Sequence, residues 1–458
     1  MSTENLRVLI VAEHASLKFG GEAILPVHYF RILRQRGIEA WLIVHERTRE
    51  ELTTYFADHI DRIYFIQDNF WHRLFWNLSK PLPHRVGLFT TGFGLRLLTQ
   101  VQQLRLTRRL VKEHNVTIVH QPIPVSPKEP SMIRQVGAPV IIGPMNGGMN
   151  YPPAFQHLEK SWVRYTVGIG RMMSNLFNRL MAGKLEADVL LVANARTHQA
   201  LPQGIQGKVI ELPENGVDLA LWKSELQPST STVQPPEAID QSPALVRFVY
   251  VGRLVDWKAV DLLLFAFRRV AEQYPAVLEI IGDGVERANL EAQAAELRLT
   301  QAPETAHLKG FVQFSGWLSQ AECAARLQAA DVLVMSSLME CGGAAALEAM
   351  AMGLPVIATN WGGFTDYLNE SCGILVDPSS PQEFIEGLSN AMLRLASQSE
   401  LRQAMGQAGR QRIIDYFNWD TKVDRMIEIY QETIDRATHP TDTSPIPNRL
   451  PLKKAAMF

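Results

Sequence analysis

Two carboxylates, Glu340 and Glu348, bracket seven residues in the block ECGGAAALE. An apolar strand, Asp331 to Met335, leads into the block, and the alanine-rich run from Ala344 to Met352 continues it as a helix. Gly342 and Gly343 stand at that junction. Glycines there leave the first helical N–H groups unhindered, and an anion is favoured at such a terminus. Carboxylates beside an anion site suit a ligand that is part phosphate and part polyol. Further back, Gly252-Arg253 ends another strand, and Lys258 follows five residues after Arg253. Two cations at the carboxyl end of a strand can neutralise a diphosphate.

These residues need a scaffold. In the first half, apolar β-branched runs mark strands at Leu6–Ala12, Ala40–Val44, Thr117–His120, Pro139–Ile142, Asp188–Ala193 and Lys208–Leu212. In the second half they fall at Arg247–Val251, Val277–Ile281, Val312–Ser315, Val332–Met335, Pro355–Thr359 and Ile374–Val376. Helical periodicity lies between them, as at Glu22–Arg36, Val260–Tyr274 and Ala321–Ala329. Alternation of this kind implies α/β architecture with parallel sheets, here two Rossmann-like domains. Ligands of such sheets bind beyond the strands' carboxyl ends, and two facing sheets would share a cleft. Residues 224–243 and the tail beyond about Ala437 lack apolar periodicity and read as flexible.

Composition narrows the class. The chain has 458 residues, enough for two domains, and three scattered cysteines, which argue against a disulfide framework or a zinc site. No signal-peptide pattern or transmembrane run is present, so a cytoplasmic protein is expected. Residues 1–218 hold 25 Lys+Arg against 18 Asp+Glu, whereas the remainder holds 20 against 29. The basic half should therefore meet an anionic partner. Asn69–Lys112 and Lys160–Leu185 contain no acid at all, and they interleave cations with Trp71, Phe75, Trp76, Phe89, Phe93, Trp162 and Phe177. That pattern suits an anionic membrane surface, at the inner face, or a solvated surface over a core. Nucleic acid is not expected, because no binding module accompanies the cations.

Most of the chain, and most strongly Arg247 to Asp377, resembles the retaining GT-B glycosyltransferases of family 4. The segment GRLVDWKAVDLLLFAF is similar to that family's Gly-Arg-Leu…Lys-Gly segment, with Ala259 where Gly is usual. Further similar stretches are Gly282-Asp283-Gly284, Gly353–Thr359 followed by Gly362-Gly363, and Cys372–Asp377. The resemblance implies that Arg253, Lys258 and the Gly342-Gly343-Ala344 helix start grip a leaving diphosphate. It implies that Glu340 contacts the transferred sugar and Glu348 the ribose hydroxyls. It also implies a Gly20-Gly21 loop over the phosphates and a sugar contact from His120. The donor would be a nucleoside diphosphate sugar and the acceptor a saccharide or a lipid-linked hydroxyl, with neither cofactor nor metal. Exopolysaccharide or glycolipid synthesis is the setting implied. The expected domains are 1–217 (acceptor side), 218–420 (donor side), 421–436 (a helix returning to the first domain) and 437–458 (tail). A Rossmann oxidoreductase is disfavoured, since no first-loop G-x-G-x-x-G occurs. A non-catalytic nucleotide-sugar-binding or membrane scaffold protein remains open.

Overall fold

The computed structural model describes residues 5–18, 21–70, 74, 91–158, 173–222, 245–300 and 308–439. The expectations for Gly20, for the 224–243 insertion and for Trp71, Phe75, Trp76, Phe89 and Trp162 lie outside the described residues.

The chain divides into two compact units. The first holds 1–148, 162–215 and 420–458, and the second holds 149–161 and 216–419. The described part of this segment, 149–158, expected in the first domain, thus packs with the second. There Phe155 is buried and meets Phe384 edge-on at 6.3 Å.

Among the described residues the first unit is built on seven strands: β1 (Arg7–Val11), β2 (Glu39–His45), β3 (Ile63–Ile66), β4 (Ile118–Gln121), β5 (Val140–Met145), β6 (Val189–Val192) and β7 (Lys208–Glu211). Their order is β3-β2-β1-β4-β5-β6-β7. The second unit has six: β8 (Val246–Val251), β9 (Ala276–Ile281), β10 (Gly310–Gly316), β11 (Val332–Met335), β12 (Val356–Thr359) and β13 (Gly373–Val376), in the order β10-β9-β8-β11-β12-β13. Neighbouring strands pair in parallel, β8 with both β9 and β11. Strands such as β6, β11 and β12 are buried along their whole length, which is why they read as unbroken apolar runs.

In each sheet the strand order reverses once, between β1 and β4 and between β8 and β11. Loops at such a switch point diverge to opposite faces and leave a crevice at the strands' carboxyl ends. Arg253 follows β8 and Glu340 follows β11, so the second crevice collects the candidate residues.

Two elements differ from expectation. β3 was not anticipated. It is a four-residue edge strand whose middle residues, Tyr64 and Phe65, are only half-buried. The returning helix expected over 421–436 is longer, Trp419–Thr438, and follows a break in the backbone. A helix, Ser399–Arg412, passes through a π turn, Ile413–Phe417, and a new helix runs Trp419–Thr438. Between them Asn418 is extended, because the backbone pairs with Val217 instead of with itself. The Val217 N–H donates to Phe417 O at 2.7 Å, and the Trp419 N–H donates to Val217 O at 3.1 Å.

Candidate active site

The loop after β8 sets the first part of the site. Gly252-Arg253-Leu254-Val255 leads into a single 3₁₀ turn, Asp256–Lys258, and then into the Val260–Gln273 helix. Ala259 joins turn to helix in the left-handed conformation, φ 49°. That backbone is the physical reason glycine is the usual residue there, and alanine holds it at a cost of about 1 kcal/mol. The loop after β9 braces the β8 loop. Gly282 has φ +139°, and a Cβ on it would lie 1.9 Å from Gly252 O, so only glycine lets the two loops touch. The Leu254 N–H donates to Asp283 O at 2.9 Å across the same contact.

The loop after β11 supplies the second part, and it is tied to the Lys258 turn at two points. The Leu338 N–H donates to Trp257 O at 2.9 Å, and the Ser336 hydroxyl donates to Lys258 O at 2.9 Å. These bonds carry Lys258 to Glu340, where the ammonium donates to the Glu340 carboxylate. Both side chains are mostly buried, so the pair is shielded from solvent. The turn after β12 clasps the other side of Glu340. The Gly363 N–H donates to Glu340 O at 2.8 Å, and a Cβ on Gly363 would sit 2.0 Å from Cys341 O.

Arg253 is exposed and, among the described residues, makes no side-chain hydrogen bond or ion pair. Gly343 takes the left-handed conformation and caps the Ala344–Ala351 helix without a side-chain acceptor. The Ala346 N–H turns back to Gly343 O at 2.9 Å, which leaves the N–H groups of Ala344 and Ala345 as those an anion would meet. Glu348 lies one turn further on. Part of its surface is accessible, yet protein surrounds the carboxyl, and this burial pushes it up to about 7. No described residue donates a hydrogen bond to it. The structure thus gathers Arg253, Lys258, Glu340, Gly342, Gly343, Ala344 and Glu348 at the β8/β11 switch point.

Gly21 and His120 belong to the first unit. Gly21 is exposed with φ +55° and opens the 3₁₀ turn Gly21–Ile24. His120, expected to contact the sugar, is fully buried instead. One ring nitrogen pairs with Gly143 O at 2.6 Å and the other with the Tyr430 hydroxyl at 2.7 Å. Burial lowers its pKa to about 4. With both nitrogens engaged it offers nothing to a sugar, and its role here is to hold β4 against the Trp419–Thr438 helix.

Sequence reasoning missed Trp317. It follows β10 directly and is 73% exposed, an unusual place for a large aromatic. Val285, in the adjoining loop after β9, is likewise exposed, and the two loops are linked by the Gly282 N–H donating to Gly316 O at 2.8 Å. An aromatic directly after a strand-ending glycine was the available signal.

Comparison with known proteins bears on the same residues. The chain is 27% identical over 250 residues to glycogen synthase of Mycobacterium tuberculosis, which covers 54% of each chain. It is 30% identical over 256 residues to D-inositol 3-phosphate glycosyltransferase of Corynebacterium urealyticum, covering 54% of this chain and 57% of the relative. The match thus spans about half the length of these curated relatives. Among solved structures, a glycosyltransferase from Rickettsia africae superposes with a TM-score of 0.61 at 18% identity, covering 94% of this chain and 99% of that one. Anabaena HepE in complex with UDP superposes with a TM-score of 0.57 at 15% identity, covering 93% and 100%. The fold is GT-B, and residues 239–412, which contain every candidate residue of the second unit, match the family described as glycosyl transferases group 1.

Proposed function

We propose that the protein is a glycosyltransferase that moves a sugar from a nucleoside diphosphate sugar to a hydroxyl acceptor with retention of anomeric configuration. The observation that carries this reading is the set of polar groups at the β8/β11 switch point: the shielded Lys258–Glu340 pair, the uncommitted Arg253, and Glu348 with no donor. Each has a matching feature in such a donor. Arg253, Lys258 and the open helix N-terminus face the two phosphates. Glu340 accepts from a sugar hydroxyl, and Glu348 accepts from the ribose hydroxyls. Trp317, exposed directly after β10, is an aromatic of the kind a nucleobase stacks on. UDP is the nucleotide named with HepE, which makes uridine the first base to test.

The chemistry follows from where charge develops. As the bond between the anomeric carbon and the phosphate oxygen breaks, negative charge builds on the departing diphosphate. Arg253, Lys258 and the N–H groups at Ala344 stabilise it without reorganisation, and this replaces a divalent metal. The acceptor hydroxyl attacks from the same face and gives its proton to the departing phosphate oxygen. The Lys258–Glu340 ion pair fixes both partners before the donor arrives, so little side-chain entropy is lost on binding. The first unit would carry the acceptor, a saccharide or a lipid-linked hydroxyl, in exopolysaccharide or glycolipid assembly.

Thermal midpoints measured with UDP, GDP, ADP and their sugars, with and without EDTA, test the donor site. One nucleotide should raise the midpoint by mass action, EDTA should not change the rise, and Lys258→Ala should abolish it. Donor-dependent sugar transfer by the same preparation then separates an enzyme from a binding protein. Absence of a shift with every nucleotide would overturn the assignment.

A further inference from the structure

Residues 149–158 pack with the second unit but add no strand to its sheet. The regular element within them is a 3₁₀ turn, Pro153–Leu158. Ordering an irregular stretch costs backbone entropy, so side chains must hold it in place. Pro152 and Phe155 are buried, Phe155 against Phe384, and Tyr151 and Ala154 pack on the same core. The adjacent Pro152 and Pro153 lower the ordering cost by restricting the unfolded chain.

This anchor delivers Met149 and Asn150 to the turn after β12, residues 360–363. Every residue of that turn is tied to a neighbour. The Asn360 amide donates to the Asp377 carboxylate at 2.6 Å, and the Trp361 indole N–H donates to Asn150 O at 2.9 Å. A Cβ on Gly362 would lie 2.5 Å from Glu340 O and 2.7 Å from the Met149 methyl, so carbonyl and methyl flank one spot. The Gly363 N–H closes on the same Glu340 O. Glu340 is therefore fixed twice, at its carboxylate by Lys258 and at its backbone by a turn that 149–150 hold from behind.

We propose that Met149 is a positioning residue for sugar transfer: its thioether packs the β12 turn onto the Glu340 backbone and so fixes where the Glu340 carboxylate meets the transferred sugar. Trp361 acts on the same turn through Asn150 O. The inference rests on the donor-site reading of Glu340. Arg253 follows β8 and Glu348 lies inside the Ala344–Ala351 helix, so the groups assigned to diphosphate and ribose stand on other elements. Loosening the turn should therefore disturb sugar chemistry and leave nucleotide binding in place. A shift of about 1 Å in a reacting group costs on the order of a hundredfold in rate, so a small relaxation is enough to be measured.

The test uses the full chain with UDP and UDP-glucose. Release of UDP from UDP-glucose in water reports cleavage of the sugar–phosphate bond without a chosen acceptor. Met149→Ala should lower kcat for that release on the order of tenfold or more, with the Kd for UDP held within about twofold. Met149→Leu, which refills the space, should restore kcat. Trp361→Phe keeps an aromatic ring but loses the N–H, and it should lower kcat as well. The two losses should not add when Met149→Ala and Trp361→Phe are combined, because both act on one turn. Wild-type kcat in Met149→Ala would overturn the proposal and leave the donor site standing, as would a loss of kcat matched by an equal loss of UDP affinity. A wild type that neither binds UDP nor releases it from UDP-glucose would overturn the uridine donor reading and this inference with it.

Discussion

Replacing Glu348 by glutamine should make the empty protein more stable and its nucleotide binding weaker. Burial raises the Glu348 carboxyl from an ordinary 4.5 to about 7. Below about pH 4.5 the group is protonated in both folded and unfolded chains and costs nothing. Between 4.5 and about 7 the unfolded chain ionises while the folded one stays protonated, so stability falls as pH rises. Above about 7 the whole cost is present. At 1.36 kcal/mol per unit it comes to about 3 kcal/mol. Glutamine is never ionised and removes that cost. At pH 8, Glu348→Gln should raise the thermal midpoint of the second unit by roughly 6–12 °C, and at pH 4.5 by almost nothing. Taking the difference between variant and wild type cancels every other titrating group. Nucleotide affinity should move the opposite way. An ionised acceptor for two ribose hydroxyls contributes about 1.5–3 kcal/mol, so glutamine should cost roughly ten- to a hundredfold in Kd. Calorimetric scans at the two pH values, with titrations of UDP, read both quantities. A variant no more stable than wild type at pH 8 would refute the burial argument. A stabilised variant with unchanged nucleotide affinity would refute the ribose assignment alone.

Other substitutions separate architecture from chemistry. Lys258→Met strands the mostly buried Glu340 carboxylate. It should cost about 1–3 kcal/mol of stability and at least about a hundredfold in kcat. Adding Glu340→Gln should recover the stability, seen by urea titration, while transfer stays lost. Arg253→Ala touches an exposed side chain with no hydrogen bond or ion pair among the described residues, so the urea midpoint should hold within about 0.5 kcal/mol while diphosphate affinity falls about tenfold or more. His120 gives an acid limb. Its pKa is lowered to about 4 by burial, so its contribution is complete above about 6.5 and is lost as pH falls toward 4. About 2 kcal/mol should disappear between pH 7 and pH 5, and His120→Gln, less stable at pH 7, should lack that slope. A change in sugar KM without loss of stability in the same variant would return His120 to the sugar.

What could be read from the chain alone divides along one physical line. The parallel strands were legible because a strand buried on both faces must be apolar throughout, and β11, VLVM, has no other reading. The donor-side loops were legible because close backbone approach admits only glycine, as at Gly282 and Gly363, and so leaves a mark in the sequence. Partnership leaves no such mark. His120 ends a strand whether it faces a ligand or, as here, Gly143 O and Tyr430, and Tyr430 lies 310 residues further along the chain. The Thr91–Glu113 helix escaped notice for a related reason. Its buried Thr99, Gln100, Gln103 and Thr107 sit where periodicity expects leucine, so the usual amphipathic signal is scrambled.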